Sequence, residues 1–391
     1  MKKIVISGLG CTLLDFIYNE VSFTSKGFRQ YQSRTPGDGG LSPGQLVFLD
    51  DLEQFSKSSF EQVVKALTGS RPPDTINLGG PAAVPLIHAA QLLQDVAEVK
   101  LYAAMGNDNA AETILEIIGK TPLNVEQVFR KNDRTPLTYV FSDPGYDGGH
   151  GERTFVNSIG AAGLLLADEL PESFFLTDIM VLGGTALVPL IHDALDTILE
   201  KASPASYKIV NTVYDFRNDR RYPGKPWPLG KDHGALKLMD LLIMDKDEAL
   251  KISGRTDIQE AVSYFIDSGV KACMITDGVR PGIVYDSFNG NTWRFPVCDR
   301  IIEELKQANK GDTTGAGDNF VGGILFSIAM QLAKGKTRPD LAEAVKWGVI
   351  SGGMACFHMG GTFIETLPGQ KLKRFREYYA DYCKQIEGGK Q

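Results

Sequence analysis

Cysteine is scarce in this chain of 391 residues, and its distribution argues against two kinds of site. The five cysteines are far apart in sequence, and neither a Cys-x-x-Cys pair nor a pair of histidines four residues apart occurs. The odd number and wide separation argue against a disulfide framework, and the missing pairs argue against a structural zinc site. We therefore expect free, mostly buried thiols in a reducing compartment. The cysteines are Cys11, Cys273, Cys298, Cys356 and Cys383.

Positive charge and long apolar runs are also lacking. The formal net charge is −7 at pH 7, and no long block of lysine and arginine occurs, which argues against sequence-independent nucleic-acid binding. No segment approaches the roughly 20 apolar residues that a membrane-spanning helix needs. Gly8 and Gly10 interrupt the N-terminal apolar run, and no small-residue cleavage site follows it, so a signal peptide is not favoured. We expect a cytoplasmic protein that binds neither nucleic acid nor membranes.

Two common nucleotide-binding motifs are missing. The sequence has no Gly-x-x-x-x-Gly-Lys-Ser/Thr segment, which excludes a Walker-type NTPase. The stretch that begins at Gly8 lacks the third glycine of the dinucleotide fingerprint, which weakens the interpretation as a dehydrogenase.

The composition and the apolar pattern predict an α/β fold. Hydrophobic residues make up 43% of the chain and charged residues 23%, which is typical of a globular protein with ample core. Short runs rich in β-branched residues alternate with longer helical patterns. This alternation predicts a doubly wound, mostly parallel sheet with helices on both faces. The predicted strands cover residues 3–8, 99–104, 178–182, 208–213, 241–244 and 272–276.

Helical patterns and one long hairpin complete the predicted elements. Helices are predicted over residues 83–93, 110–118, 190–201 and 258–267, and the C-terminal third adds an apolar helix over 319–333 and an amphipathic helix over 371–385. Residues 138–141 and 153–157 look like two strands joined by a long loop.

The most informative segment is Asp-Thr-Thr-Gly-Ala-Gly-Asp at residues 312–318, directly before the apolar helix. Backbone N–H groups are unpaired at such a helix start and the helix dipole adds partial positive charge, so the turn would bind an anion. A carboxylate would ordinarily repel that anion. It is explained if Asp318 accepts the proton of a hydroxyl that attacks a phosphate held by these amides. A capped helix start without function is the alternative.

This segment resembles the C-terminal signature of the ribokinase-like (PfkB) carbohydrate kinases. The resemblance implies that Asp318 is the catalytic base and that the amides of Gly315, Ala316 and Gly317 form the anion hole. It also implies an ATP-dependent enzyme that transfers the γ-phosphoryl group to a hydroxyl of a sugar or sugar-like molecule. Weaker matches occur in the same order along most of the chain.

Four residues are expected to contact the substrate. Asp15 follows the first strand, where many of these kinases carry an Asp that accepts hydrogen bonds from sugar hydroxyls. Gly79 and Gly80 resemble the N-terminal signature of the family and would let the substrate approach the backbone. Arg153 could reach from a lid strand to an anionic group. Val84 stands where the family usually has an Asn that contacts the sugar, which leaves the identity of the substrate open.

The resemblance also implies the sites for ATP, Mg²⁺ and a monovalent cation. Asp245 and Glu248 would lie near Mg²⁺ and the ATP phosphates, although the family usually has Asn at the first position. A turn that resembles the Thr-x-Gly nucleotide contact contains Thr276 and Gly278. A monovalent cation such as K⁺ is suggested behind the anion hole, at Asp312 and Thr314.

We expect one kinase domain over residues 1–391, with a small β-rich lid formed by insertions within about 11–50 and 134–158. Relatives suggest a homodimer through this lid. A nucleoside kinase on the same fold is the nearest alternative. Lid aromatic residues that stack a base would favour it, and the candidates are Phe16, Tyr18, Phe48 and Tyr139. A non-catalytic ligand-binding relative is a further alternative.

Overall fold

A nine-stranded sheet and a five-stranded sheet organise the chain in this computed structural model, which describes residues 2–35, 37–231, 233–308 and 312–388. The strands are β1 (Ile4–Gly10), β2 (Leu13–Tyr18), β3 (Leu46–Phe48), β4 (Thr75–Gly79), β5 (Ala97–Met105), β6 (Asn124–Arg130), β7 (Leu137–Asp143), β8 (Glu152–Ser158), β9 (Ile179–Gly183), β10 (Tyr207–Asn211), β11 (Leu241–Asp245), β12 (Ala272–Asp277), β13 (Arg280–Asp286) and β14 (Asn291–Phe295). The α-helices are α1 (Lys26–Tyr31), α2 (Leu49–Ser56), α3 (Phe60–Thr68), α4 (Ala83–Leu93), α5 (Asn109–Ile118), α6 (Tyr146–Gly149), α7 (Glu172–Phe175), α8 (Pro189–Asp193), α9 (Leu195–Lys201), α10 (Phe216–Arg221), α11 (Lys246–Ser253), α12 (Ile258–Asp267), α13 (Asp299–Ala308), α14 (Ala316–Ala333), α15 (Leu341–Ala355) and α16 (Gln370–Gly388).

The large sheet has the order β14-β13-β12-β11-β10-β9-β1-β5-β6. Neighbouring strands are parallel from β12 to β6, and β13 and β14 add an antiparallel edge. The six predicted strands correspond to β1, β5, β9, β10, β11 and β12, which confirms the predicted parallel sheet. The sequence missed β6, β13 and β14. These strands lie at or near the edges, and β6 and β14 are mostly exposed and lack a continuous apolar run.

Helices cover both faces of the large sheet, because its central strands bury side chains on both sides. In β9, Val181 belongs to one hydrophobic layer, whereas Met180 and Leu182 belong to the other. The first layer contains α4, α14 and α15, with α14 packed between the other two. The second layer includes residues of α9, α11 and α12. The predicted double winding is therefore confirmed. No helix of the described ranges is long and apolar enough to cross a membrane.

The predicted helices are present with one interruption. The helical pattern over 190–201 is divided at Ala194 into α8 and α9. The apolar helix α14 begins three residues earlier than expected, after Gly315. Gly315 has a φ of 71°, and a Cβ at this position would lie 2.4 Å from the Cα of Gly361. Only glycine therefore allows α14 to start this close to the loop that follows α15.

The second sheet has the order β3-β8-β7-β2-β4, and the predicted hairpin is its β7–β8 pair. Helices α1, α2 and α3 cover one face of this sheet with a separate apolar cluster. We call these five strands and three helices the small subdomain. It includes β4 and α3, which lie outside the two segments favoured for a lid, and residue 36 of the first segment lies outside the described residues. The cluster includes Phe28, Leu52, Val63, Phe141 and Val156.

Truncating Leu52 tests whether this cluster is a true core. Leu52 is fully buried between the helices and the small sheet. Leu52→Ala is expected to lower the free energy of unfolding by about 2–5 kcal/mol, because it removes buried apolar contacts and leaves a cavity. Urea denaturation followed by circular dichroism measures the change. Leu176 is 66% exposed, so Leu176→Ala should change stability by less than about 0.5 kcal/mol. Equal effects of the two substitutions would show that the helices do not cover the sheet.

Candidate active site

One cleft lies between the carboxyl ends of the parallel strands and the small sheet. The ends of β1, β9 and β10 are level, since Gly10 pairs with Gly183 and Gly183 with Asn211. On the next two strands, Asp245 at the end of β11 pairs with Thr276 of β12. Open α/β sheets bind ligands beyond these ends. The N-terminus of α14 reaches the same cleft, as the charges around Asp318 indicate.

Burial raises the pKa of three carboxyl groups that interact across this cleft. Burial raises the pKa of Asp318 to about 7. Burial and then the charges of Asp318 and Asp312 raise the pKa of Asp15 to about 8. Burial raises the pKa of Glu248 to about 8, and the charges of Asp245 and Asp318 add to this effect. Burial alone explains the raised pKa of Asp318, and like charges add to the effect of burial for Asp15 and Glu248. Asp318 therefore gains a pKa suited to a general base at neutral pH.

The first turn of α14 leaves an open space at Gly317. The N–H of Ala316 donates to the carbonyl of Thr313 at 3.1 Å, so this amide closes the turn and is not directed at a ligand. A Cβ built on Gly317 would meet no atom within 4 Å. The first amides of a helix have no acceptor within the helix. The amides of Gly315 and Gly317 are therefore better placed for an anion than the amide of Ala316.

The small sheet presents a row of side chains to the cleft. Cross-strand pairing aligns Asp15 with Thr138, Thr138 with Asn157, and Asn157 with Phe48, and paired residues lie on the same face of a sheet. The side-chain amide of Asn157 donates to the Thr138 hydroxyl at 2.9 Å. We call Asp15, Thr138, Asn157 and Phe48 the inner row. The period-two alternation of residues 153–157 could have identified Asn157 in the sequence.

Most of the aromatic candidates lie on the opposite face. Phe16 stacks on Tyr139 with ring centroids 4.8 Å apart, and Tyr18 stacks on Tyr139 at 6.2 Å. All three rings pack in the cluster below the helices of the small subdomain. The expectation that they could stack a nucleobase is therefore wrong for these three. Phe48 alone of the four candidates lies on the inner row, where its ring meets Phe216 edge-on at 6.2 Å.

The glycines of the second signature provide space for neighbouring groups. A Cβ on Gly79 would lie 2.2 Å from Oδ2 of Asp15, and a Cβ on Gly80 would lie 2.4 Å from the carbonyl oxygen of Cys11. These glycines therefore let Asp15 and the end of β1 pack against β4. The thiol of Cys11 is buried, and burial followed by the charges of Asp15 and Asp318 raises its pKa, so it stays protonated. All five cysteines are free, as expected.

The residues predicted for the nucleotide gather at the ends of β11 and β12. The carboxylate of Asp245 accepts the N–H of Glu248 at 2.8 Å, and the carboxylate of Glu248 accepts the N–H of Asp245 at 3.0 Å. This reciprocal pair caps α11. Thr212, which the sequence did not indicate, also donates to Glu248 at 2.5 Å. Asp245 itself is exposed, and Gly278 follows Thr276 in the turn after β12.

Arg153 binds the side-chain oxygens that were predicted to hold a monovalent cation. Its guanidinium donates to Oδ1 of Asp312 at 2.8 Å and to the Thr314 hydroxyl. The amide of Gly360 donates to Oδ2 of Asp312 at 2.9 Å. Desolvation would raise the pKa of Asp312, but hydrogen bonds from Gly360 and Thr314 and the charge of Arg153 lower it. A monovalent cation does not fit beside this guanidinium. The substrate contact expected for Arg153 stays a prediction, and in this structure its guanidinium contacts residues of the chain.

The pKa of Asp15 predicts how stability changes with pH. Because its pKa is about 8 in the folded protein and ordinarily 3.8, the folded state keeps a proton between these two pH values that the unfolded state releases. The stability of the wild type should therefore fall as pH rises through this range. Asp15→Asn removes this titration, so the variant should exceed the wild type in free energy of unfolding by at least about 1 kcal/mol near pH 8, and by nothing at pH below about 4. Urea denaturation at several pH values measures the difference.

Asp38 provides a control of opposite sign. Three backbone N–H groups, those of Gly40, Arg34 and Thr35, lower the pKa of Asp38 to about 2 against desolvation. Asp38→Asn should therefore destabilise the protein at neutral pH, with the difference vanishing as pH falls through about 2. A stability advantage of Asp15→Asn that did not depend on pH would contradict the assigned pKa.

Comparisons with known proteins agree on one family. The model of the pfkB family of carbohydrate kinases matches residues 70–367. The ribokinase of Staphylococcus aureus (strain COL) is 22% identical over 276 residues, which cover 69% of this chain and 79% of the relative.

Solved structures share the fold over nearly the whole chain. An adenosine kinase from Schistosoma mansoni in complex with 2-fluoroadenosine superposes with a TM-score of 0.69 at 17% identity, covering 93% of this chain and 97% of the other. A ribokinase from Thermotoga maritima superposes with a TM-score of 0.63 at 17% identity, covering 96% and 99%. Identities this low show the fold alone. Together with the family match over residues 70–367, they establish that the chain belongs to the pfkB family of carbohydrate kinases and has a ribokinase-like fold.

Proposed function

We propose that this protein transfers the γ-phosphoryl group of ATP to a hydroxyl of a sugar or sugar-like small molecule. The observation that carries the proposal is the position of Asp318. Its carboxyl group, with a pKa of about 7, lies in the first turn of α14 beside the open space at Gly317. A base near neutral pH and a phosphate site at a helix N-terminus are both needed for this reaction.

In the proposed reaction, Asp318 takes the proton of the substrate hydroxyl. The hydroxyl oxygen forms a bond to the γ-phosphorus while the bond to the β–γ bridging oxygen breaks, and ADP leaves. The amides of Gly315 and Gly317, with the dipole of α14, stabilise the negative charge on the transferred group. The exposed carboxylate of Asp245 would contribute an oxygen to Mg²⁺, which when bound would neutralise phosphate charge.

Asp15 and the inner row would hold the acceptor. With a pKa of about 8, Asp15 is protonated at neutral pH and can both donate and accept hydrogen bonds to sugar hydroxyls. Asn157 and Thr138 extend this polar row on the same face of the small sheet. A sugar suits this row better than a nucleoside does, because Phe48 is the only one of the four aromatic candidates on it. Thr276 and Gly278 would then meet the nucleotide of ATP.

Motion of the small subdomain would close the cleft over the acceptor, in the manner of a lid. Its outer sheet face is covered by α1, α2 and α3. A homodimer through this subdomain would therefore use the helices or the sheet edges, not the outer face of the sheet.

The role of Asp318 is tested by Asp318→Asn. Asn keeps the size of the side chain but cannot accept the hydroxyl proton, so kcat should fall by about 10²–10⁴-fold. The Kd for Mg-ATP should stay close to that of the wild type. A coupled ADP-release assay with sugars, sugar acids and nucleosides measures kcat, and calorimetry measures Kd. Near-normal turnover in the variant would refute the assigned base. A wild type that releases no ADP with any acceptor would favour a non-catalytic binding protein.

The space at Gly317 offers a second test. Gly317→Ala creates no clash within the protein, so its melting temperature should match the wild type. A Cβ would intrude on the proposed phosphate position, so kcat should fall by at least about 10-fold, as when an anion-hole group is removed. Gly388→Ala is the matched control, since a Cβ at Gly388, at the end of α16, would also meet no atom within 4 Å. If both variants keep full activity, the transferred phosphate does not bind at this turn.

A further inference from the structure

We propose that Arg153 supplies the positive charge beside the anion turn, the name we give to residues 312–318. Its guanidinium takes the place of a monovalent metal ion and positions residues 312–314, so the enzyme requires no monovalent cation. The inference rests on the proposed kinase function and concerns the same site. It makes Arg153 a positioning residue, which acts through the turn and not on the reacting atoms.

The guanidinium contacts the side chains of three consecutive residues. One terminal nitrogen donates to Asp312 and Thr314, and the other donates to the Thr313 hydroxyl at 3.4 Å. A planar guanidinium has several donors in a rigid fork, so it can hold several oxygens at once. The side chain is 31% exposed and Asp312 is 21% exposed. Partial shielding makes this ion pair stronger than a surface pair.

Both carboxylate oxygens of Asp312 already accept hydrogen bonds. Oδ1 accepts hydrogen bonds from the guanidinium of Arg153 and from the backbone N–H of Thr314, the latter at 2.9 Å. Oδ2 accepts one from the backbone N–H of Gly360 at 2.9 Å. A metal ion needs lone pairs of these oxygens and would lie next to a like charge. The positive charge expected from a metal is therefore supplied by the chain. It balances one of the carboxylates that surround the phosphate site.

The small subdomain holds Asp312 through two routes. Arg153 belongs to β8 and pairs with Ser142 of β7, so its backbone is part of the small sheet. The side-chain amide of Asn77, in β4, donates to the backbone carbonyls of Met359 and Thr362 at 3.0 Å each. These bonds fix the loop that contains Gly360. The geometry of the anion turn should therefore depend on the position of the small subdomain. A metal ion would not create this dependence.

Exchange of salts tests the inference directly. Wild-type turnover should be the same in potassium chloride and in tetramethylammonium chloride at equal ionic strength. Arg153→Met should lose about 10- to 100-fold in kcat in tetramethylammonium, because a charged hydrogen-bonding group is removed from a partly shielded site. Potassium ions or millimolar guanidinium should restore part of this loss, with little change in the KM for ATP. Arg153→Lys should be intermediate.

Arg71→Met is the matched control. Arg71 is also 31% exposed and also pairs with a carboxylate at 2.8 Å, that of Asp74, but it lies outside the cleft. This variant should keep wild-type turnover in both salts. If Arg153→Met fails to fold, Thr314→Val removes one acceptor of the guanidinium and should lower kcat without creating a response to potassium.

Melting temperature gives a readout that does not depend on activity. Potassium and guanidinium at low concentration should raise the melting temperature of Arg153→Met but not that of the wild type. A wild type that needs potassium for turnover would overturn the inference. So would an Arg153→Met variant with a raised KM for ATP and no rescue, which would place Arg153 on the nucleotide phosphates. A wild type inactive in every salt would refute the kinase function, while the melting temperatures still test Arg153.

Discussion

The candidate active site is shaped by the cost of removing several carboxyl groups from water within one cleft. Asp15, Glu248 and Asp318 belong to three different elements, and burial raises the pKa of each. Such a cluster is stable only if protons, backbone N–H groups or cations offset the charge. The structure uses all three, through the raised pKa values, the capping amides and Arg153. The same desolvation gives Asp318 the pKa of a base at neutral pH.

The two sheets supply different parts of this site. The large sheet, packed on both faces, holds the N-terminus of α14 and the ends of β11 and β12. The small sheet has a core of its own, so the proposed motion of the small subdomain would carry it as one body. That body carries Asp15 and Arg153 on strands of one sheet. A motion of that body would therefore shift Asp15 and the contacts of Arg153 with residues 312–314 together.

The sequence predicted what depends on neighbouring residues and missed what depends on distant ones. The parallel strands and α14 could be predicted because their buried faces appear as local apolar runs. The residues of the proposed anion turn could be identified because Gly315, Gly317 and Asp318 lie within a few residues of one another. Contact between Arg153 and Asp312 could not be predicted, because 159 positions separate the two residues. The aromatic residues were misassigned because the face of a strand depends on its register with its partners.

The same distinction explains why the reaction is easier to infer from this chain than the substrate. Asp318 and the backbone amides of Gly315 and Gly317 belong to one turn, so a short signature is enough to indicate the proposed phosphoryl transfer. The proposed acceptor site would be formed by Asp15 of β2, Thr138 of β7, Asn157 of β8 and Phe48 of β3, which meet only through strand pairing. Each of these side chains can change without disturbing the turn, since none of them belongs to α14. The chemistry of the site can therefore stay constant while its choice of acceptor changes, and Val84 in place of the usual Asn is compatible with such a change.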